Sequence, residues 1–394
     1  MNMLSGAYAS DERLMIQEVA RRFSDEVVLP AANRLDPERG NIPADLVETM
    51  GDLGFFGIVI PADLGGLGLG AFEYCLVAEE LARGWLSVSS LMARGNSFYR
   101  SIPAMDAEDR RHKTELMAAG KYLGALAMSE PGVGSDVSGI TCRAVRDGDD
   151  WAISGAKYWC TFADGADFLS VVCRTSDGFG KPQHGLSQIV IEKPRGQLPA
   201  DTAGTPIPKI GYFGWKTWEL AFDNARTPAA VQPYEEGRAF YEIASGLEMA
   251  RAHTAARSIG CAQGAFDHAT AYAQERVQFG QPIADFQSVR FKIATMATEI
   301  EAARQLMYYV ADAIDSGRRC DREAAMVKLF AAEMAERVTT EALQILGGAG
   351  YTTLHPVERY WRDARLTKIF EGSSEIQQRI IADNILGKPR RAAA

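Results

Sequence analysis

The chain has little that would tie it to a membrane, a metal or a nucleic acid. No apolar run in its 394 residues approaches the ~20 needed to cross a bilayer, and the longest, such as residues 168–173, have the length of a strand. An integral membrane protein is therefore not expected. Cysteine is sparse and scattered: Cys75, Cys142, Cys160, Cys173, Cys261 and Cys320 include no CxxC pair and have no histidine at metal-ligand spacing. Reduced thiols and no metal site are the expectation. The five histidines form no cluster, and 42 basic residues face 51 acidic ones, for a net charge of −9. That balance argues against binding a phosphate backbone, so nucleic acid is not an expected partner, and an anionic ligand would need a local basic site. The first residues carry Asp11, Glu12 and Glu18 and show neither a basic-then-apolar leader nor an acid-poor transit pattern, which predicts a cytoplasmic protein.

What is present is an ordinary globular composition, 47% apolar, 24% charged and 9% aromatic, which excludes collagen-like and disordered classes. The length suggests two to three domains at ~150 residues each. Residues 11–33 set Leu14, Met15, Val19, Phe23, Val27 and Val28 on one helical stripe behind Asp11 as a candidate N-cap. Helical patterning returns over residues 71–85 and 108–120, so a helical domain is expected over residues 1–125. From 126 to 235 the texture changes to short β-branched and aromatic runs, at 151–155, 157–162, 168–175, 186–192 and 217–223, separated by Gly, Asp and Pro. An antiparallel β domain is expected there. Over 236–394 helical patterns resume and predict four helices of roughly 20 to 35 residues. Blocks of helix, sheet and helix argue for an α+β architecture and against a doubly wound fold.

One motif misleads. Residues 66–71, GLGLGA, satisfy the GxGxxG/A string of a dinucleotide-binding turn. That turn needs its first glycine at a strand end and a βαβ unit after it; here residues 61–65 intervene and no such unit follows, so a surface loop is expected.

Four other stretches combine residue types that carry chemistry, each with a plainer alternative. Residues 126–136, LAMSEPGVGSD, offer hydroxyls and free N–H groups that could wrap a polar ligand, or form a Gly-Pro connector. In residues 158–161, YWCT, strand alternation puts Trp159 and Thr161 on one face and Cys160 on the other, a surface for a flat ring or a core tryptophan. Arg276, ending a long helical pattern, could meet a pyrophosphate or partner the helix dipole. In residues 369–377, IFEGSSEIQ, Ser374 and Gln377 fit a capping box, predicting a helix from near Glu375 with Glu371 in the loop before it. Ile369 and Phe370 could desolvate that carboxylate and raise its pKa, as a general base requires; the alternative is an exposed loop glutamate.

The order and spacing of these stretches, together with residues 275–287 (ERVQFGQPIADFQ) and 344–377 (beginning QILGGAGYTTLHP), resemble the signatures of the acyl-CoA dehydrogenase family, over nine tenths of the chain. The resemblance implies an N-terminal helical domain, a central antiparallel β-barrel-like domain and a C-terminal four-helix bundle. It implies FAD, with Leu126, Met128, Ser129, Ser135, Trp159 and Thr161 along the flavin. Gln344, Gly347, Gly348, Ser373 and Glu375 would contact its adenosine and pyrophosphate part. Arg276, Phe279 and Gln287 would reach a neighbouring subunit's FAD in a dimer of dimers. Glu371 matches the base that removes the α-proton of an acyl-CoA thioester while the β-hydride passes to flavin N5, giving a trans-2-enoyl-CoA, with electron-transfer flavoprotein as acceptor.

Ser135, Glu248, Arg251 and Gly372 fall on the substrate side of this resemblance. Some members carry the base on the first long C-terminal helix, where Ala250 stands here beside Glu248; Arg251 is expected to tune Glu371. Residues 211–218, GYFGWKTW, depart from the common pattern by adding two tryptophans near the flavin or the interface. Residues 91–99 are expected to help form the acyl pocket, where Arg94 could meet a substrate carboxylate or merely snorkel at the surface. Acyl-CoA oxidases, flavin monooxygenases and flavin-bearing binding proteins on the same architecture are the alternatives. The retained Glu371 motif favours dehydrogenation, and the acidic balance disfavours a DNA-binding relative.

Overall fold

A computed structural model describes Leu4 and residues 6–389, so the outermost residues of the first and last expected domains lie outside the described residues. The first region contains α1 (Asp11–Phe23), α2 (Leu29–Leu35), α3 (Ala44–Asp52), α4 (Ala71–Gly84), α5 (Leu86–Leu91), α6 (Ala93–Asn96) and α7 (Ala107–Ala118). The N-cap of α1 is Ser10, whose Oγ accepts a hydrogen bond from the Arg13 N–H at 3.2 Å, and not Asp11. A widened turn over Ser24–Val28 then rotates the expected apolar stripe. Phe23 and Val28 are buried, whereas Met15 and Val27 face outward.

Helix α4 lies at the centre of the molecule and is buried along nearly its whole length. At its N-terminus the N–H groups of Ala71 and Phe72 donate to the carboxylate of Asp315, at 2.6 and 3.0 Å. A side-chain carboxylate thus sits where a dinucleotide-binding turn would hold phosphate, and residues 55–60 before it form no strand. The glycine-rich stretch is a loop, as its spacing implied.

The middle region is one curled sheet of β1 (Gly124–Ala127), β2 (Arg143–Asp147), β3 (Asp150–Thr161), β4 (Phe168–Arg174), β5 (Leu186–Glu192), β6 (Thr202–Pro206) and β7 (Thr217–Pro228). The order is β1-β4-β2-β3-β7-β6, with β5 on β4. The expectation of purely antiparallel pairing is corrected on both sides of β4: β1 runs parallel to it, Gly124 opposite Phe168 through Ala127 opposite Val171, and β2 meets it in parallel at Arg143 opposite Arg174. The two runs read separately at 151–155 and 157–162 are a single strand, β3, interrupted by register shifts near Gly155 and between Lys157 and Cys160. Ile153, Cys160, Leu169, Val171, Ile189 and Leu220 fill its interior.

The last region contains α8 (Ala239–Ser245), α9 (Leu247–Glu275), a short hairpin of β8 (Val277–Gln278) and β9 (Gln281–Pro282), α10 (Gln287–Asp315), α11 (Asp321–Leu346), α12 (Val357–Thr367) and α13 (Ser374–Leu386). Three helices, not four, reach the expected length, with 29, 29 and 26 residues. The fourth pattern is cut into α12 and α13 because Glu371 and Gly372 adopt positive φ, +53° and +89°, which no α-helix accommodates. Helix α9 crosses α4 closely because it presents small residues there. A Cβ on Gly260 would lie 2.0 Å from the Glu79 carbonyl oxygen, and one on Gly264 2.5 Å from that of Arg83. Among the described residues no helix is long and apolar enough to cross a membrane, and no group of three His, Cys, Asp or Glu side chains could hold a metal.

Candidate active site

Glu371 occupies the corner between α12 and α13. A non-glycine residue in the left-handed region is strained, and such strain persists only where neighbours over-determine it. Three neighbouring groups do so here. Lys328 on α11 donates from Nζ to the Gly372 carbonyl oxygen at 2.6 Å, and Gln377 donates from Nε2 to the same oxygen at 3.0 Å. Ser374 donates from Oγ to Glu333 at 2.8 Å. The N-cap of α13 is consequently Ser373 rather than a boxed Ser374, and Gln377 reaches back to Gly372 instead of completing a capping box.

The carboxylate itself is held from α9. Thr254 donates from Oγ1 to Glu371 Oε2 at 2.5 Å, and Arg257 donates from Nη2 to Oε1 at 2.6 Å. Residues three apart on a helix lie one above the other, so Thr254 and Arg257 present a joined donor pair, themselves bonded at 2.9 Å. Arg257 is almost wholly buried; Ser90 accepts from its Nη1 at 2.8 Å, and its guanidinium lies 4.8 Å from the Phe370 ring centre.

Burial alone would push the Glu371 pKa up, but the Arg257 charge and the Thr254 hydrogen bond outweigh it and hold the carboxyl below the usual range. The expectation that Ile369 and Phe370 raise it is therefore corrected. Ile369 is exposed, and Phe370 covers Arg257. The Glu371 side chain keeps 36% of its surface open on its remaining side, and its backbone N–H has no partner among the described residues.

The arginine facing Glu371 is Arg257, not the expected Arg251. Arg251, six residues earlier on α9, lies under the influence of Asp321 and Glu248. The Glu248 carboxylate accepts from the Cys320 N–H at 3.0 Å and so ties the start of α9 to that of α11. Thr254, Arg257 and Lys328 escaped the sequence reading. The signal was available, since a threonine and an arginine stand on one face of an otherwise alanine-rich buried stretch, 252–265.

An aromatic wall joins this corner to the sheet. Phe162 directly follows Thr161; its ring lies 5.8 Å from that of Trp215, Trp215 lies 5.1 Å from Tyr212, and Tyr212 6.0 Å from Phe370. The tryptophan-rich departure at 211–218 thus supplies the wall. Asp363 on α12 fixes it by accepting from the Tyr212 N–H at 2.6 Å.

At the sheet end, Trp159 sits on the β3 bulge with φ +62° and is 56% exposed, so it is not a core residue, and the bulge breaks the strict alternation expected for Trp159 and Thr161. Cys160 is buried; Thr161 is half-buried, its Oγ1 3.2 Å from that of Thr217. The loop 129–141 is a built element rather than a slack connector. Glu130 accepts from the N–H groups of Thr141 and Cys142 at 2.9 and 2.8 Å and from Lys157 Nζ at 2.9 Å, while the Ser129 carbonyl accepts from Tyr158 N–H at 2.8 Å. Leu126, Met128 and Ser129 are half-buried beside it and Ser135 is exposed.

This surface fits a flavin: an uncovered indole, hydroxyls and free loop backbone suit a flat ring with polar edges. Gly132, Gly134, Gly347 and Gly348 all have open space where a Cβ would stand, leaving room for a ligand against their backbone. Gln344 and Glu375 are exposed on the helical side, with Ser373 half-buried. Arg276, Phe279 and Gln287 are exposed around the β8–β9 hairpin, Phe279 by 95%.

Comparison with known proteins agrees with this layout. The N-terminal, middle and C-terminal domains of acyl-CoA dehydrogenase match residues 10–121, 125–225 and 237–386. The chain is 39% identical to (2S)-methylsuccinyl-CoA dehydrogenase of Cereibacter sphaeroides, over 97% of this chain and 71% of that protein. It is 36% identical to an acyl-CoA dehydrogenase of Bacillus subtilis, over 96% of this chain and 99% of that one. The structure of butyryl-CoA dehydrogenase from Megasphaera elsdenii superposes with a TM-score of 0.89 at 30% identity, covering 98% of this chain and 100% of that chain. The protein is a member of the acyl-CoA dehydrogenase family, an oxidoreductase of three-part helix, sheet and helix architecture.

Proposed function

We propose that this enzyme carries out the FAD-dependent α,β-dehydrogenation of an acyl-CoA thioester to a trans-2-enoyl-CoA, with Glu371 as the base for the α-proton. The observation that carries this reading is the set of contacts at Glu371: an ionised carboxylate, strained at an αL corner, held by Thr254 and Arg257 with one side open. Such a group is unprotonated at neutral pH and free to take the α-proton, although Arg257 and Thr254 make it a weaker base than the raised pKa expected from its sequence neighbours would have done. Once protonated it gives up its ion pair with Arg257, which then faces the site as a cation when negative charge builds on the thioester. The unpartnered Glu371 N–H is a donor for the thioester oxygen, where that enolate-like charge collects.

FAD, when bound, supplies the hydride acceptor for the β-carbon. Leu126, Met128, Ser129, Ser135, Trp159 and Thr161 would hold its ring system, and Gln344, Gly347, Gly348, Ser373 and Glu375 the remainder. Arg276, Phe279 and Gln287, exposed together on one edge, would serve the neighbouring subunit of a homo-oligomer, a dimer of dimers. Ser135, Gly372, Glu248 and Arg251 line the approach of the acyl-CoA, and electrons leave to an electron-transfer flavoprotein. The names of the relatives, each dehydrogenating an acyl-CoA, support the substrate class. The test is anaerobic reduction of the bound flavin by acyl-CoA thioesters, followed by admission of oxygen. Fast bleaching with slow reoxidation by oxygen supports the dehydrogenase reading; rapid reoxidation would identify an oxidase.

A further inference from the structure

Arg94, on the four-residue helix α6, is the cation the chemistry at Glu371 leaves unexplained. It does not snorkel at the surface. Its guanidinium lies 5.8 Å from the Phe162 ring centre and 5.4 Å from that of Trp215, inside the aromatic wall. It makes no hydrogen bond or ion pair among the described residues, and its buried Nε has no partner. The titratable groups acting on it are Tyr212, Glu371, Arg257 and Tyr74. Glu371 is the one carboxylate among them, and Arg257 already holds it at 2.6 Å.

The surroundings make the imbalance larger. Burial pushes the Tyr74 and Tyr212 hydroxyls up, so both stay neutral, and burial together with Arg257 pushes His253 down, so it carries no charge. Lys328, bonded to the Gly372 carbonyl, adds a third cation close to Glu371. The buried Arg304 pairs with Glu79 at 2.8 Å and Arg257 with Glu371 at 2.6 Å; Arg359 donates to Asn33 and the Gly84 carbonyl; and Arg251, which like Arg94 makes no ion pair among the described residues, has two carboxylates acting on it, those of Asp321 and Glu248. Aromatic faces offer a guanidinium less than a carboxylate does, and a buried charge without a counter-ion is costly. A planar fork with open donors, walled by rings, is the arrangement that takes a carboxylate two-handed.

We infer that Arg94 binds a carboxylate at the acyl end of the substrate, so that this enzyme acts on the monothioester of a dicarboxylic acid. This rests on the thioester reading above. The positive excess then becomes a means of selection. A neutral acyl chain would leave the guanidinium without an anion, whereas a carboxylated chain completes the pair as it enters.

The test uses the FAD-loaded enzyme and inert ligands: carboxyalkyl thioethers of coenzyme A with four- to six-carbon chains, which lack the carbonyl and cannot lose an α-proton. Each is paired with its uncharged carboxamide, and dissociation constants are measured by calorimetry. We expect at least one carboxylate to bind tenfold or more tighter than its amide. Arg94→Gln should abolish that preference while changing amide affinity less than twofold, and Arg94→Lys should retain part of it. Equal affinity for each pair in the wild-type enzyme, or an equal loss for both in Arg94→Gln, would overturn the inference. Flavin bleaching by thioesters is scored separately. Bleaching without carboxylate preference removes Arg94's role and leaves dehydrogenation standing; preference without bleaching does the reverse.

Discussion

At the scale of single residues, the site depends on a few buried charges and what faces them. Removing Arg257 takes away the charge that holds Glu371 low, so in Arg257→Gln the acid limb of the kcat/KM profile should move to higher pH, and Arg257→Lys should restore part of the shift. An unmoved limb would show that Arg257 does not set this carboxylate. Lys328 gives a second test. Burial lowers its pKa to about 8, against 10.5 in the unfolded chain, so between those values the unfolded state binds more protons and the folded state gains stability as pH rises. The stability of the wild type relative to Lys328→Met should therefore increase from pH 8 to 10, read by urea denaturation; a constant difference would contradict the assignment. Glu371 was legible in the sequence because it lies in a contiguous stretch with its own turn and helix start. Thr254 and Arg257 stand out in sequence only as polar residues in an alanine-rich stretch, and neither they nor Lys328 can be linked to Glu371 there, because that relation is set by how α9 and α11 pack, more than 40 residues away in the chain.

At the scale of elements, small residues decide how close α9 comes to α4. In Gly260→Ala the new methyl would meet the Glu79 carbonyl at 2.0 Å, a backbone atom that cannot step aside, so the two central helices must separate. A loss of about 1–3 kcal/mol or more is expected by denaturant unfolding. Gly246→Ala, at the start of the same helix with its nearest contact at 3.8 Å, should be close to neutral. Equal effects would refute close packing as the reason for Gly260. Strands β4, β5 and β7 were readable as runs of β-branched and aromatic residues bounded by turns. The parallel β1–β4 pairing was not, since local sequence says nothing about which distant strand becomes a neighbour. The split of the last helical pattern into α12 and α13 was hidden for a related reason. Glu371 takes an αL conformation its residue type disfavours, and contacts from distant α11, through Lys328 and Glu333, help to hold it there.

At the scale of the whole molecule, block texture gave the order of helix, sheet and helix, while the aromatic wall that joins the blocks appeared only on folding. Residues 91–99, 162, 211–218 and 370 meet there from four separate parts of the chain, and this is why Arg94 could not be weighed from its neighbours in sequence. The exposed hairpin belongs to the same scale. If Phe279 and Arg276 complete a neighbour's cofactor site, Phe279→Ser should lower the assembly mass in light scattering and loosen bound FAD together. A variant that keeps both would remove the hairpin from the interface. The account as a whole turns on Glu371 as the base. Its most direct test is anaerobic stopped-flow reduction of the flavin by a panel of acyl-CoA thioesters in the wild type and in Glu371→Gln, where the amide keeps the shape but not the basicity. Rapid bleaching in the wild type and a loss of about 10²–10⁴-fold in the variant, with FAD still bound, is the predicted result. Equal bleaching in both would contradict it.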